Sequence, residues 1–388
     1  MTSNEWQPSG VFARGNKFKL GLFSLNLERG GTISTAPEVL PLEWRRVAHV
    51  AAQADEMGLE LLVPVARWRG FGGETNYPLD SYDTFCWAAG LAAATRSIHV
   101  WSTCHVPTIH PIVAAKQLVT IDHLSGGRAG LNIVGGWFEE EMLMFGRPIL
   151  EHDKRYELAE EWTKIVTHLW TRDEPLDFEG EFFKIVDGVS QPKPLQRPRP
   201  ALMNAGGSER GQHFAAEYAD MVFVFAGEGG TPALRNKVDR YKAMAQDGFQ
   251  RRLEVWTQVN VICGDTPAEA RELRDRIVAG ADWTCVENMV ALVAGQGKVE
   301  GVRDDPTPFV EGFIFGWGAP CLVGTADVIA AELQRLASCG LDGCLLCLPE
   351  WEHGLDLFRD RVLPLLEEVG LREPFSAAEM ITDSAALR

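Results

Sequence analysis

The sequence predicts an α/β fold in which eight parallel strands close into a (β/α)8 TIM barrel. Eight short apolar segments recur along the 388 residues, and each lies near a segment with helical periodicity. Several of them do not alternate between apolar and polar residues, which is typical of parallel strands buried on both faces. The count of eight favours a barrel over an open doubly wound sheet. We therefore expect one domain over 1–388, with its barrel core at 18–369.

Each predicted strand is a short run of apolar residues that ends near a glycine, a proline or a polar residue. The eight segments are 18–26, 59–67, 98–106, 131–134, 200–207, 221–227, 254–264 and 343–349.

The predicted helices follow these strands and are bounded by capping residues. Gly58 ends the first helix, and Thr266 with Glu269 three residues later forms a capping box at another. The predicted helices are about 44–57, 82–95, 111–124, 153–170, one that begins at Ser208, 266–280, 325–338 and 357–369. A hairpin is predicted within 171–200.

Insertions are predicted after strands 1, 2, 4 and 7, at the strand ends where barrel active sites are built. The less regular segment 281–323 follows strand 7 and is a candidate lid. A surface elaboration or an oligomer contact would fit the same segment.

Composition excludes several classes of protein. The net charge is −17, from 37 basic and 54 acidic residues, which argues against nucleic acid as a partner. No apolar run is long enough to span a bilayer, and the polar start MTSNEWQPSG is no secretion signal. Cys344 and Cys347 are three residues apart, so on a strand their thiols face opposite sides. We expect a cytoplasmic protein with reduced thiols, no membrane partner and no metal site.

Common nucleotide and nucleophile motifs are absent: there is no G-x-G-x-x-G after a strand, no P-loop and no G-x-S-x-G. The candidate phosphate site is NAGGSERG, residues 204–211, where a strand end leads into a helix. The N–H groups of Gly207 and Ser208 and the Ser208 hydroxyl would hold an anion there. An ordinary N-cap serine would produce the same pattern.

The segment 128–156 carries the densest set of candidate ligand-binding residues. Asn132 interrupts an apolar strand, and Trp137, Glu141 and Arg155–Tyr156 follow it. This set suits a planar, phosphorylated heterocycle, although a buried strand followed by a solvated acidic helix would also explain it. Thr103 is likewise a polar residue near the end of an apolar strand. Asn132 and Thr103 would point to a ligand or bond to neighbouring strands.

Several segments in a fixed order resemble the bacterial luciferase-like, flavin-dependent monooxygenases, and among them those that open the pyrimidine ring of uracil. The similar segments are RGFGG (69–73), AGLAAAT (89–95), SGGRAGLNIVGGW (125–137), KRY (154–156), NAGGSERG and LVGTADVIA (322–330). The resemblance extends from Lys19 to about Leu365. It implies the same (β/α)8 fold and a monooxygenase that cleaves a carbon–heteroatom bond.

The resemblance also implies a cofactor, partners and site residues. The cofactor is reduced FMN, supplied by a separate NAD(P)H-dependent flavin reductase, and O2 is the co-substrate. Homodimers or homotetramers are usual in the family. The FMN contacts implied are Ala66, Arg67, Asn132, Glu141, Arg155, Tyr156 and Ser208. The oxygen pocket implied is Val63, Thr103, Asn132 and Trp137, where the uracil-opening relatives form a flavin-N5-peroxide.

Some positions depart from the family pattern. Val63 replaces a leucine, and Ala66–Arg67 replaces an isoleucine–lysine pair. The loop after strand 1, the segment 74–81 and much of 281–320 also differ, and these would wall the substrate pocket. A pyrimidine-like heterocycle or an amide is favoured as substrate, with sulfones, sulfonates and halogenated aromatics as alternatives.

Two other functions are compatible with a flavin-binding barrel. One is a deazaflavin (F420)-dependent oxidoreductase that transfers hydride without oxygen. The presence of Asn132, Thr103 and Trp137 argues against it. The other is a non-catalytic or light-emitting subunit, against which the presence of Arg155, Tyr156 and Ser208 argues.

Overall fold

Eight parallel strands close into a barrel in the computed structural model, which describes residues 10–13, 15–226, 230–294 and 308–375. In chain order the strands are β1 (Lys19–Phe23), β2 (Leu61–Val63), β3 (His99–His105), β4 (Ala129–Val134), β5 (Leu176–Glu179), β6 (Lys184–Gly188), β7 (Ala201–Asn204), β8 (Met221–Phe223), β9 (Glu254–Cys263), β10 (Cys321–Gly324) and β11 (Gly343–Cys347). The closed ring runs β1-β2-β3-β4-β7-β8-β9-β11 and returns to β1. The predicted (β/α)8 barrel is confirmed.

The three other strands lie outside the ring. β5 and β6 form the antiparallel hairpin predicted within 171–200. β10 pairs with the C-terminal half of β9, and so extends the sheet at the C-terminal end of the barrel.

Helices surround the barrel and cover its C-terminal end. They are α1 (Trp44–Glu56), α2 (Thr84–Ala94), α3 (Pro111–Ser125), α4 (Glu139–Met144), α5 (His152–Thr171), α6 (Glu209–Tyr218), α7 (Gly230–Phe249), α8 (Pro267–Ala279), α9 (Trp283–Ala294), α10 (Pro308–Phe315), α11 (Ala326–Ser338), α12 (Trp351–Leu357) and α13 (Leu363–Glu368). The capping box predicted at Thr266 is present, and Ser208 caps α6.

Three helical regions differ from the prediction. The 20-residue helix α7 was not predicted. The last predicted helix is two helices, α12 and α13, joined by a π-helical turn at Phe358–Val362. The segment 281–323 is more regular than expected, because its described part contains α9, α10 and β10. Residues 295–307 of that candidate lid lie outside the described residues.

The inside of the barrel is filled by two indoles that lie against glycines. Trp101 on β3 is fully buried, and its register partner on β4 is Gly130, where a Cβ would overlap the indole. Trp256 on β9 lies in the same way against Gly343 on β11. Val63 and Met203 belong to the same inner cluster. Trp101 is therefore a core residue.

The C-terminal end of the barrel is covered by a separate apolar cluster. Phe71 and Tyr77 from the loop after β2 pack there with Met289 of α9 and Phe313 of α10. The candidate lid is also bonded to the loop after β2: Thr75 N–H donates to Asp282 over 2.6 Å, and Asn288 Nδ2 donates to the Phe71 carbonyl over 2.7 Å. The described part of the lid thus lies over the barrel mouth.

None of the helices in the described ranges has the length and apolar character needed to cross a membrane.

We expect Gly130→Ala to destabilise the barrel by about 1–3 kcal/mol, because the added methyl group meets the Trp101 ring in a packed interior. Urea denaturation of both proteins measures the change. Gly248→Ala is the control, since that glycine is exposed in α7 with no atom near a new Cβ. It should stabilise the protein by about 0.5–1 kcal/mol. Equal urea midpoints for Gly130→Ala and Gly248→Ala would contradict the close packing of Trp101 on Gly130.

Candidate active site

A cavity of about 520 Å³ opens at the C-terminal end of the barrel. Most of its wall is apolar or aromatic, and the polar side chains in it come from strands β3, β4 and β9, from the loop after β2 and from α5. The lining residues used below are Ala66, Arg67, Thr103, His105, Asn132, Trp137, Arg155, Gln258, Met289, Leu292, Val293, Phe313 and Trp317. An apolar cavity with a few placed polar groups is typical of a small-molecule site.

A short hydrogen-bond chain fixes the orientation of Asn132. Thr103 and Asn132 are register partners on β3 and β4, so their side chains lie side by side. Thr103 Oγ1 donates to the Pro64 carbonyl over 2.5 Å and accepts from Asn132 Nδ2 over 3.3 Å. The hydroxyl proton is committed to Pro64, so Asn132 must turn its NH2 group toward Thr103. Asn132 Oδ1 is then left buried and without a partner among the described residues.

Arg67 and Glu141 form a buried ion pair beside the cavity. Arg67 Nη1 lies 3.0 Å from Glu141 Oε2, and the Glu141 side chain is fully buried. Glu141 Oε1 accepts the Trp68 backbone N–H over 2.8 Å. Both carboxylate oxygens therefore bind protein groups. Glu141 lies behind Arg67 and outside the cavity lining, so it acts here by holding Arg67 and the loop after β2.

The guanidinium of Arg67 lies between two indoles. Its Cζ is 4.9 Å from the centre of the Trp137 ring and 5.4 Å from that of Trp317. Trp137 in turn stacks on Phe71, with 6.4 Å between ring centres. Cation–π contacts of this kind hold a guanidinium in place in a dry setting. Arg67 thus connects the wall formed by the end of β4 to the roof formed by α10 and its following turn.

The predicted anion site lies around the start of α6 and the first turn of α5. Among the described residues, no oxygen accepts from the backbone N–H groups of Gly207 and Ser208. Ser208 Oγ accepts from Gly211 N over 3.1 Å, which leaves its proton free to donate. Arg155 Nη1 donates to the Gly136 carbonyl over 2.8 Å, while its buried Nε has no partner in the part of the chain that the structure describes.

Tyr156 completes this corner of the site. Its hydroxyl lies so close to Gly206 and Gly211 that a Cβ on either glycine would collide with it. Another tyrosine, Tyr241 of α7, donates from its hydroxyl to the Gly206 carbonyl over 2.9 Å and so holds the same turn in place. Gly206 and Gly211 of NAGGSERG are therefore required by the close approach of Tyr156, whereas a Cβ on Gly207 would meet no atom.

The structure brings most of the sequence-predicted residues together but separates them into layers. Ala66, Arg67, Thr103, Asn132, Trp137 and Arg155 line the cavity. Val63 does not line it and lies deeper, inside the barrel with Trp101. Tyr156 follows Arg155 on α5, and its hydroxyl lies beside the glycine turn that carries Gly207 and Ser208; these three residues lie outside the cavity lining. In the described ranges, no group of three or more His, Cys, Asp or Glu side chains is placed to hold a metal ion.

Sequence reasoning missed His105, Gln258 and Trp317 as wall residues. Gln258 carries the same signal that revealed Asn132, since it is a polar residue inside the buried strand β9. Trp317 has no such signal, because its place depends on a backbone with φ of 56° between two glycines. His105 follows Thr103 by two residues on β3 and therefore points to the same side.

His105 is buried next to Arg67 and Glu141. Burial first, and then the nearby Arg67 charge, hold the pKa of His105 well below its usual 6.5. The imidazole is therefore neutral, although its Nδ1 lies 3.4 Å from Glu141 Oε2. Trp68 covers the ring from the other side, with 5.4 Å between ring centres.

We expect His105 to lower stability in mild acid. Below about pH 6.5 the unfolded chain binds a proton on this residue and the native chain does not, so the free energy of unfolding falls by about 1.4 kcal/mol per pH unit. His105→Gln removes this loss. Denaturation of both proteins between about pH 5 and pH 7.5 measures the difference. If the free energy of unfolding depends on pH in the same way in the wild type and in His105→Gln, then His105 is not a neutral buried residue.

We expect Glu141→Gln to destabilise the protein by about 3–5 kcal/mol, because Arg67 becomes a buried charge without a counter-ion. The double variant Arg67→Met/Glu141→Gln should recover part of that loss. Glu140→Gln is the matched control, since its side chain is exposed one residue away, and it should change stability by less than about 0.5 kcal/mol. Urea denaturation ranks the variants, and equal effects of the two Glu→Gln changes would refute the role of Glu141.

Comparison with known proteins places this chain in a family. Residues 18–343 match the model of the family described as luciferase-like monooxygenase. The chain is 30% identical over 335 residues to the FMNH2-dependent dimethylsulfone monooxygenase of Pseudomonas putida, covering 84% of this chain and 88% of the relative. It is also 30% identical over 354 residues to the pyrimidine monooxygenase RutA of Acinetobacter baylyi, covering 90% and 94%.

A solved structure agrees with these matches in its fold. DmoA from Hyphomicrobium sulfonivorans superimposes with a TM-score of 0.81 at 19% identity, covering 92% of this chain and 89% of its own. Because the family match extends over most of the chain, this chain belongs to the luciferase-like monooxygenase family.

Proposed function

We propose that this protein is a monooxygenase that uses reduced FMN and O2 to cleave a carbon–heteroatom bond in a small neutral molecule. The observation that carries the proposal is the Asn132–Thr103–Pro64 chain. It aims one unpaired amide oxygen into an apolar cavity beside a set of free anion donors. A planar ring with polar edges and a phosphate matches both features. FMN supplies the electrons that O2 requires, which no side chain in this cavity can provide.

The residues present suit FMN. The unpaired Asn132 Oδ1 would accept from an N–H group on the flavin ring, and Ala66 and Arg67 would lie along the same ring. The phosphate would bind Arg155 Nε, the Tyr156 hydroxyl, the Ser208 hydroxyl and the N–H groups of Gly207 and Ser208. A helix N-terminus favours a phosphate there. Glu141 contributes indirectly, because it holds Arg67.

The oxygen pocket would lie between β2, β3 and β4, at Val63, Thr103, Asn132 and Trp137. Thr103 commits its proton to Pro64, so it orients Asn132 and is not a proton donor to the ligand. Val63 closes the floor, since it is 1% exposed inside the barrel. Trp137 and Phe71 exclude water from above, which protects a reactive oxygen species from side reactions.

The charge of the cavity favours a neutral substrate. Arg67 is already neutralised by Glu141, and Arg155 is assigned to the phosphate. A sulfonate would therefore enter without a counter-charge. Of the substrates considered, a pyrimidine-like heterocycle or an amide agrees best with the amide oxygens in the wall, while a neutral sulfone or a halogenated aromatic would meet only apolar side chains.

The described part of 281–323 supports the lid hypothesis. Met289, Leu292 and Val293 on α9 and Phe313 on α10 form one wall of the cavity. A lid in this position would open for substrate and close for oxygen chemistry. Reduced FMN would come from a separate NAD(P)H-dependent flavin reductase, and the family resemblance suggests a homodimer or homotetramer.

A turnover assay with isotopically labelled O2 tests the function. The assay contains FMN, a flavin reductase, NADH and one of three neutral substrates: uracil, a cyclic amide or dimethylsulfone. Incorporation of one labelled oxygen atom into a cleaved product is the expected result. Binding of F420 together with failure to bind reduced FMN would overturn the proposal and favour the deazaflavin alternative.

We expect Arg155→Met to weaken FMN binding roughly 10- to 100-fold, since charge-assisted hydrogen bonds to the phosphate are lost. Riboflavin, which has the same ring and no phosphate, is the matched ligand and should bind both proteins within about threefold. Fluorescence titration measures the four dissociation constants, one for each flavin with each of the two proteins. An equal loss for both flavins would place the phosphate elsewhere.

A further inference from the structure

Gln258 is a buried amide in the cavity wall that the proposed cofactor site does not use. It lies on β9, three strands around the ring from β4, and its side chain is 1% exposed. It lines the same cavity as Asn132 and Arg67. A buried amide that faces a ligand cavity needs a reason, because an unpaired polar atom in an apolar wall is costly.

The neighbours of Gln258 determine which way its amide points. Its Nε2 faces three acceptors: Cys347 Sγ at 3.2 Å, the Gly316 carbonyl at 3.4 Å and Asn260 Oδ1 at 3.5 Å. In the opposite amide orientation, Gln258 Oε1 would face the Gly316 carbonyl oxygen and Asn260 Oδ1, and neither of these can donate a hydrogen bond to it.

Asn260 is itself fixed, because its Nδ2 donates to the carbonyls of Gly316 over 3.2 Å and Ala319 over 3.0 Å. Asn260 Oδ1 must therefore face Gln258, and the NH2 group of Gln258 must face Asn260. The orientation of both amides follows from hydrogen-bond chemistry.

Gln258 Oε1 is consequently left buried without a partner among the described residues. Asn132 Oδ1 is in the same situation on the other side of the cavity and is assigned to the flavin. The wall of the cavity that Gln258 lines also contains the apolar side chains of Met289, Val293 and Phe313. This part of the cavity offers a ligand a hydrogen-bond acceptor.

We propose that Gln258 is a specificity-determining residue whose Oε1 accepts a hydrogen bond from an N–H group of the substrate. The ligand class is a neutral cyclic amide, imide or N–H heterocycle. Isosteres in which oxygen or sulfur replaces the N–H are rejected, because they leave Oε1 unpaired or facing another lone pair. This inference rests on the proposed function for the identity of the neighbouring cofactor, and it names the substrate class of the same cavity.

A pair of isosteric ligands tests the proposal without turnover. Carbostyril and coumarin have the same bicyclic shape and differ by an N–H in place of a ring oxygen. Calorimetry on the full chain, with and without oxidised FMN, measures both affinities. We expect the wild type to prefer carbostyril roughly tenfold. Gln258→Met keeps the volume and removes the acceptor, so this preference should fall to within about twofold.

Two further measurements separate recognition from structure. Val293→Ala alters the same wall without touching an acceptor, and it should keep the preference for carbostyril. The FMN affinity of Gln258→Met should stay within about twofold of the wild type, which shows that the cavity is intact. If Gln258→Met does not fold, Gln258→Leu takes its place.

The proposal is overturned if the wild type binds both ligands equally, if it binds neither at millimolar concentration, or if Gln258→Met retains the full preference. Failure of the proposed function has a different signature, because it appears as loss of FMN binding or of labelled-oxygen incorporation. The carbostyril preference measured without flavin would be unaffected by that failure.

Discussion

The buried ion pair between Arg67 and Glu141 is the interaction on which the site depends. The two residues are 74 positions apart in the chain, and they join the loop after β2 to the helix after β4. Removing two charges from water is costly unless every lone pair and proton finds a partner. Here Glu141 binds Arg67 and the Trp68 backbone, Trp137 and Trp317 cover the guanidinium, and Arg67 Nε has no partner among the described residues. The wall and the roof follow from that arrangement, and the Arg67 charge adds to burial in keeping His105 neutral.

A second constraint is the direction of two buried amides. Asn132 and Gln258 both line the cavity, and each turns its NH2 group toward acceptors on the protein, which leaves its oxygen without a partner among the described residues. Because these hydrogen bonds fix both amides, we expect the polarity of the cavity to be set before a ligand binds. Such preorganisation lowers the cost of ordering polar groups around a bound molecule. The Asn132 side and the Gln258 side of the cavity therefore have the same chemical character, because each offers a hydrogen-bond acceptor.

Polar residues in apolar strands were the most informative signal for the site. Asn132 and Thr103 stood out for this reason, and the register of β3 and β4 places them side by side. Gln258 carries the same signal in β9 and was overlooked. Glu141 is predicted to contact a cofactor, and in the structure its two carboxylate oxygens bind Arg67 and the Trp68 backbone. The sequence shows which side chains are polar and cannot show which of them are already paired with each other.

What the sequence determined by itself is the series of strands and helices, the barrel and the strand ends that carry function. Those features depend on local periodicity, on glycines and on caps, all of which are written in neighbouring residues. Helix α7 was missed although its four buried residues, Leu234, Val238, Tyr241 and Ala245, recur at helical spacing. Only the tertiary structure decided the Arg67–Glu141 pair, the depth of Val63 and the facing direction of each amide. These depend on which distant residues meet when the barrel closes, and a hydrogen-bond partner supplied by another strand cannot be read from the chain in order.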